Sequence, residues 1–200
     1  MTSHNIEIVN QKYHDLKHQI TLLKAEANSQ KSIQYLEEME QDIRSYEAQN
    51  KTGNKVLDAV LTSKSLYCQN NDISLTCVAD GTLLEFMAEM DISALFGNVL
   101  DNAIESVQKL DDKEKRLIHL SVAEQKSFLR IRVENYTEEN ISFRNGMPVT
   151  TKKDKHLHGF GMKSIQSTVR KYGGSVTTGL RDNWFELRIL IPLNQQKTAN

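Results

Sequence analysis

The chain has 200 residues, with 38% hydrophobic and 26% charged residues and a formal net charge of −1. That is enough apolar material for a core and too balanced a composition for disorder, with no global field toward nucleic acid or an acidic membrane. The two cysteines, Cys68 and Cys77, stand in no metal or redox spacing and read as core thiols of a reducing compartment, and no apolar run is long enough to span a bilayer.

Residues 6–27 place Ile6, Val9, Tyr13, Leu16, Ile20, Leu23 and Ala27 at alternating spacings of three and four. That is a heptad seam without proline or glycine. The chain opens inside this helical pattern, as a truncated fragment does. Asn28 and Ser29 break the pattern, and Ser32 is a candidate N-cap. A second run follows with Ile33, Leu36, Met39, Ile43 and Tyr46. Two helices joined by a short turn form an antiparallel hairpin whose seam needs a partner. A second copy, giving a four-helix bundle, is the simplest one. Residues 48–54 are polar, contain Gly53 and read as a hinge.

The next helix spans 55–69, with Val56, Ala59, Val60, Ser63 and Leu66 on its apolar face. Residues 72–80 alternate as a strand. Residues 91–110 give a strongly amphipathic helix, with Asp91 as N-cap candidate and Leu95, Val99, Ala103 and Ile104 on its buried side. Two strands follow around a turn at 124–127. Residues 137–158 read as a long polar loop, a length that is usually functional or disordered. A helix over 161–172 stops at Gly173 and Gly174. Two further strands turn at 181–183, and the tail from Asn194 is polar. The predicted fold class is α+β: a helical hairpin over 1–50, then over 54–193 a sandwich with helices on one face of a mixed sheet, and a loose tail over 194–200.

Three places carry chemistry. Asn98 and Asn102 lie four apart on one helix, so their amides fall together. Amide oxygens are neutral hard ligands, suited to a cation shared with phosphates, such as Mg²⁺. Glu105, one turn on, is placed to hold a water or the cation. In "HLHGFGMKSI", Gly159 and Gly161 precede a helix, where bare backbone N–H groups and the helix dipole suit an anion. Lys152, Lys153 and Lys155 stand just before and suit phosphate charge, although such a run is usually a solvated loop; His158 either donates to a phosphate or fixes the loop. Near the start, "KYHDLKH" sets His14 and His18 on one helical face, with Asp15 beside the first. Zinc would need a third ligand, and none stands nearby in sequence.

Together these stretches resemble the GHKL ATPase superfamily. "NVLDNA" looks like its N box and "HGFGMKSI" like its second glycine box. "TTKKDKHLHGFG" is similar to the ATP-lid sequence of sensor histidine kinases, and "YHDLKH" resembles the H box of their peptide quorum-sensing branch. The resemblance implies a Bergerat-type α/β sandwich that binds ATP and Mg²⁺ through Asn98, Asn102, Glu105, Lys152, His158, Gly159 and Gly161. It implies an ATP-dependent protein-histidine kinase in which His14 accepts the γ-phosphoryl group. Asp15 fixes the ring tautomer, His18 lines the docking face or positions water, and an aspartate of a response regulator receives the phosphoryl group. The implied partners are a second copy and a receiver domain, with no nucleic acid. The implied location is cytoplasmic, with membrane anchoring only through a sensor region outside this chain. The superfamily's first glycine box usually reads Asp-x-Gly-x-Gly, with the acid on the adenine amine. Here "RVENYTEEN" stands instead, Asn135 takes the acid's place, and weaker ATP binding is expected. Two other readings are a GHKL protein-serine kinase of the anti-sigma type and a non-catalytic dimeric scaffold with a degenerate pocket.

Overall fold

The computed structural model describes residues 17–26, 29–148 and 158–194. Ile6, Val9, Tyr13, His14, Asp15, Leu16, Ala27, Lys152, Lys153 and Lys155, to which the sequence assigns seam, acceptor or phosphate-binding places, lie outside the described residues.

Residues 17–26 (α1) and helix α2, Gln30–Gln49, pair antiparallel. Lys17 with Glu47 and Lys24 with Glu40 at 2.8 Å fix the direction, since the partner numbers run opposite ways. Ile20, Leu36 and Ile43 are buried between the helices, with Met39 and Leu66 packed against them. Leu23, placed on the seam by its spacing, is 52% exposed, as is neighbouring Leu22 at 50%. One narrow hairpin buries only the side of α1 that faces α2. The cap of α2 is Ser29 rather than Ser32: its carbonyl accepts from the N–H groups of Ser32 and Ile33, and its Oγ accepts from Ser32 N–H at 3.2 Å.

The segment before α3, Lys55–Asn70, is tied down. Asp58 Oδ1 accepts from Thr52 N–H and Oγ–H at 2.8 and 2.6 Å. Asn54 caps α3 through Leu57 N–H, and Thr52 O accepts from Gly81 N–H at 2.8 Å. The expected hinge over residues 48–54 is therefore fastened to the sandwich from Thr52 onward. The core face of α3 is Leu57, Val60, Leu61 and Cys68; of the expected stripe Val56, Ala59, Val60, Ser63 and Leu66, Val60 is buried there and Val56 packs against the same core. The helix serves two neighbours, and Leu66 belongs to the hairpin cluster.

Strands β1 (Ser74–Ala79), β2 (Leu117–Gln125), β3 (Phe128–Tyr136), β6 (Ser175–Arg181) and β7 (Trp184–Pro192) form one sheet in the order β1-β2-β3-β7-β6. β1 and β2 are parallel, and the other pairs are antiparallel. Tight turns at Lys126–Ser127 and Asp182–Asn183 have both residues at positive φ, the primed-turn signature of two-residue hairpins. The stretch expected to be a loop contains a further hairpin, β4 (Phe143–Arg144) with β5 (Met147–Pro148), turned by Asn145 and Gly146 at φ 54° and 73°. Thr178 Oγ1 donates to Gly146 O at 2.6 Å, and Phe143 lies parallel to Phe185 with ring centroids 6.5 Å apart, so this hairpin is anchored to β6 and β7.

Helices α3, α4 (Glu89–Gln108) and α5 (His158–Lys171) cover one face of the sheet. Leu95, Phe96, Val99 and Leu100 of α4 meet Ile118, Leu120, Ile131, Val133 and Ile189 of the sheet in the main core. Burial pushes the Cys68 and Cys77 thiols up to about 11, which leaves them as inert packing groups. The opposite face is polar. Arg132 stands directly across from Arg188 and Glu134 across from Glu186. Opposite-charge pairs relieve both clashes: Arg132 pairs diagonally across the strands with Glu186 at 2.7 Å and along its own strand with Glu134.

α5 ends in a Schellman motif: Gly174 N–H reaches Val169 O at 3.0 Å and Gly173 N–H reaches Arg170 O at 3.0 Å, with Gly173 at φ 73°. At Gly174 a Cβ would lie 2.6 Å from Leu190 O and 2.7 Å from Ile191 Cγ1. Gly174→Ala is expected to destabilise the fold by about 1–3 kcal/mol, read as a lower urea midpoint. A loss below about 0.5 kcal/mol would contradict this close approach.

Candidate functional site

α4 and α5 run antiparallel, and three contacts set their register. At one end Tyr172 Oη donates to Asp91 Oδ2 at 2.5 Å and accepts from Ala88 N–H at 3.0 Å, while Lys171 Nζ reaches Asp91 Oδ2 at 2.6 Å. In the middle Asn98 Nδ2 donates to Ser164 Oγ at 3.1 Å. At the other end a Cβ on Gly161 would lie 3.2 Å from Asn102 Oδ1. The start of α5 thus rests its bare backbone on the second amide of α4.

Asp91 is not the N-cap of α4. Ala88 occupies that position, and its carbonyl accepts from Asp91 and Ile92 N–H. Asp91 is a strut to α5. Burial pushes its carboxyl up, but the hydrogen bonds from Lys171 and Tyr172 together outweigh this and hold it below the ordinary range.

α4 begins at Glu89, and its apolar positions Leu95, Val99, Ala103 and Ile104 are all buried. That burial leaves Asn98, Asn102, Glu105 and Ser106 half-buried on the flank toward α5 and the end of β3. Asn135 ends the inward-facing row of β3 and is 2% exposed. Its Nδ2 donates to Ser106 Oγ at 3.0 Å and to Tyr136 O at 3.2 Å. Residues 98, 102, 106 and 135 therefore form one continuous polar line between the helices and the sheet.

The glycines are placed differently from the expectation. α5 starts at His158, so Gly159 and Gly161 fall in its first turn rather than in a loop before it. His158 shares that turn. His18 is exposed on α1, in the hairpin, away from this line. His119, on the outer face, stacks on Trp184 at 5.0 Å. Ser106, Ser164 and Tyr172 join the site without a local sequence signal for Ser164 and Tyr172, whereas Ser106 continues the four-residue spacing of Asn98 and Asn102.

The donor set fits a phosphate-bound cation. Among the described residues no three His, Cys, Asp or Glu side chains converge as a metal site. A cation here would be held by amide oxygens and by phosphate, which suits Mg²⁺. Asn98 spends its Nδ2 on Ser164, which leaves its oxygen to accept or ligate. The missing Cβ at Gly161 lets the first turn of α5 close on the Asn102 amide, and a helix start of this kind suits an anion.

Residues 87–192 match the family model described as the GHKL domain. No curated protein matches the sequence. Among solved structures, the catalytic domain of histidine kinase ThkA is 17% identical, covering 69% of this chain and 90% of that one, with a TM-score of 0.53. The histidine kinase domain of the blue-light activated histidine kinase EL346 from Erythrobacter litoralis is 16% identical, covering 98% and 94%, with a TM-score of 0.50. At these identities the likeness is one of fold.

The strut at Asp91 has a pH signature. Its folded pKa is lowered, so its contribution is present above the unfolded carboxyl range, about 3.9, and is lost as pH falls through the folded value. The stability gap between the protein and Asp91→Asn is expected to narrow below about pH 4. Urea melts from pH 3 to pH 7 measure it, and a constant gap across that range would contradict the assignment.

Proposed function

The chain belongs to the GHKL domain family, and on that premise we propose that it is the catalytic region of a sensor histidine kinase. The observation that carries this reading is the seating of Gly161 on the Asn102 amide at the start of α5. A bare backbone turn beside a row of half-buried amides suits a nucleoside triphosphate with its cation. Asn98 and Asn102 hold the cation side, with Glu105 flanking them. The α5 start with His158, Gly159 and Gly161, together with Lys152, holds the phosphates, and Asn135 reads the base. Mg²⁺, when bound, offsets phosphate charge.

His14 is the acceptor in this reading. A neutral imidazole nitrogen attacks the γ-phosphorus, the N–P bond forms, the bond to the bridging oxygen breaks, and ADP leaves. Asp15 accepts the N–H of the other ring nitrogen and stabilises the charge that develops on the ring. The phosphoryl group then passes to an aspartate carboxylate of a response regulator. His18 lies on the surface where that partner would dock.

The antiparallel hairpin supports assigning residues 1–50 to dimerisation and phosphotransfer and 54–193 to nucleotide binding. Exposed Leu22 and Leu23 suit a second copy of the hairpin. No described helix is long and apolar enough to cross a membrane, and we place membrane anchoring in a sensor region outside this chain. The histidine-aspartate pair supports the quorum-sensing branch. The same pair separates it from serine kinases of the anti-sigma type.

Incubation with γ-labelled ATP is expected to give acid-labile, base-stable label that His14→Gln abolishes. Label that persists in His14→Gln, or that survives acid, would favour the serine-kinase reading. Asn102→Ala is expected to lower labelling by at least 100-fold (about 2.7 kcal/mol) with little change in thermal midpoint. Gly161→Ala, which pushes a methyl toward Asn102 Oδ1, is expected to weaken nucleotide binding about tenfold in a calorimetric titration. Unchanged values in both variants would move the nucleotide elsewhere.

A further inference from the structure

We propose that Ser106 and the main-chain carbonyl of Tyr136 lock the amide of Asn135 in one orientation, making position 135 an acceptor-only reader that selects adenine over guanine. The inference rests on the nucleotide reading above and deepens it.

An asparagine amide has two faces: its oxygen accepts, and its nitrogen donates two hydrogens. Adenine offers a donor at its 6-position, and guanine offers an acceptor there. Which end of the amide points at the base therefore decides which purine is bound. Asn135 Nδ2 has two acceptors in reach, Ser106 Oγ at 3.0 Å and Tyr136 O at 3.2 Å, one for each of its hydrogens. A carbonyl oxygen accepts and never donates, so Tyr136 fixes which end faces it. Turning the amide over would set oxygen against oxygen. With both hydrogens spent inside the protein, the remaining hydrogen-bonding capacity of this 2%-exposed side chain is on Oδ1. Ser106 supplies the second hold from α4, one turn beyond Asn102, so the base reader is tied to the same helix as the amide row.

The lock also decides what an acid would do here. A carboxylate has no hydrogen for Tyr136 O, and although the Ser106 hydroxyl can turn to donate to it, one of its oxygens would face the carbonyl. Asn135→Asp is therefore expected to weaken ATP binding, although an acid is the usual residue of the family at this point. Ser106 acts as a positioning residue, and its signature is purine preference rather than affinity alone.

The test is calorimetric titration of the full chain with ATP and with GTP in the presence of Mg²⁺, for the protein, Ser106→Ala and Asn135→Asp, with thermal midpoints recorded alongside. The protein is expected to prefer ATP by about tenfold or more. Ser106→Ala is expected to keep its fold and lose preference by roughly threefold to tenfold. Asn135→Asp is expected to bind ATP about tenfold more weakly. Equal affinity for the two purines in the protein, an unchanged preference in Ser106→Ala, or ATP bound by Asn135→Asp as tightly as by the protein would each overturn the lock while leaving the nucleotide site in place. Failure to bind either nucleotide would overturn the function itself, and the lock with it.

Discussion

The antiparallel seam between α4 and α5 is the constraint on which the rest of the molecule depends. Every candidate site residue of the sandwich lies on this seam, just before it in sequence, or at the strand end beside it. Apolar burial holds the two helices down: Leu95, Val99, Ile165 and Val169 are each at most 1% exposed, and each such side chain stabilises by about 1.5–3 kcal/mol. The polar contacts are individually weaker, about 0.5–1.5 kcal/mol net, so they do not decide whether the helices pack. They decide how the helices are slid along one another. The strut at Asp91 and Tyr172 fixes one end, the Asn98–Ser164 bond fixes the middle, and Gly161 is thereby delivered to Asn102. A slip of one turn, about 5.4 Å, would set other side chains against the amide row.

The two hydrophobic clusters divide the work. The large one builds the sandwich and fixes the seam, and the small one joins the hairpin to α3 through Leu66. Between them, Thr52, Asn54 and Asp58 fasten the chain to the sandwich, and Gly81 closes against Thr52. On the proposed function, movement of the sandwich toward the hairpin would be taken up before that fastening and at the small cluster. The polar sheet face opposite the helices takes no part in this. Its cross-strand like charges are settled by one diagonal ion pair and one along β7.

What the sequence disclosed follows from the range of each interaction. The row of Asn98 and Asn102 is local to one helix, so the 3.6-residue period exposes it directly. The hairpin strands are equally local, because two-residue turns leave their mark in sequence. The Asn145-Gly146 turn left the same mark inside a stretch that reads as loop, and two-residue strands are too short for alternation to show. Asp91 looks like a cap from its neighbours, and only the distant Lys171 and Tyr172 make it a strut. The apolar stripe of α3 is misread because one helix serves two clusters, which blurs a single period. The bond between Asn135 and Ser106 depends on where β3 ends against α4, a long-range register that no local pattern carries.

The central claim is that the seam residues, and no other surface, grip the nucleotide. Amide hydrogen exchange with and without ATP and Mg²⁺ tests it most directly. The account predicts protection concentrated in residues 98–106, at 135–137 and across the first turn of α5, with the hairpin and the polar sheet face unchanged. Protection elsewhere, with those three stretches exchanging as before, would contradict it.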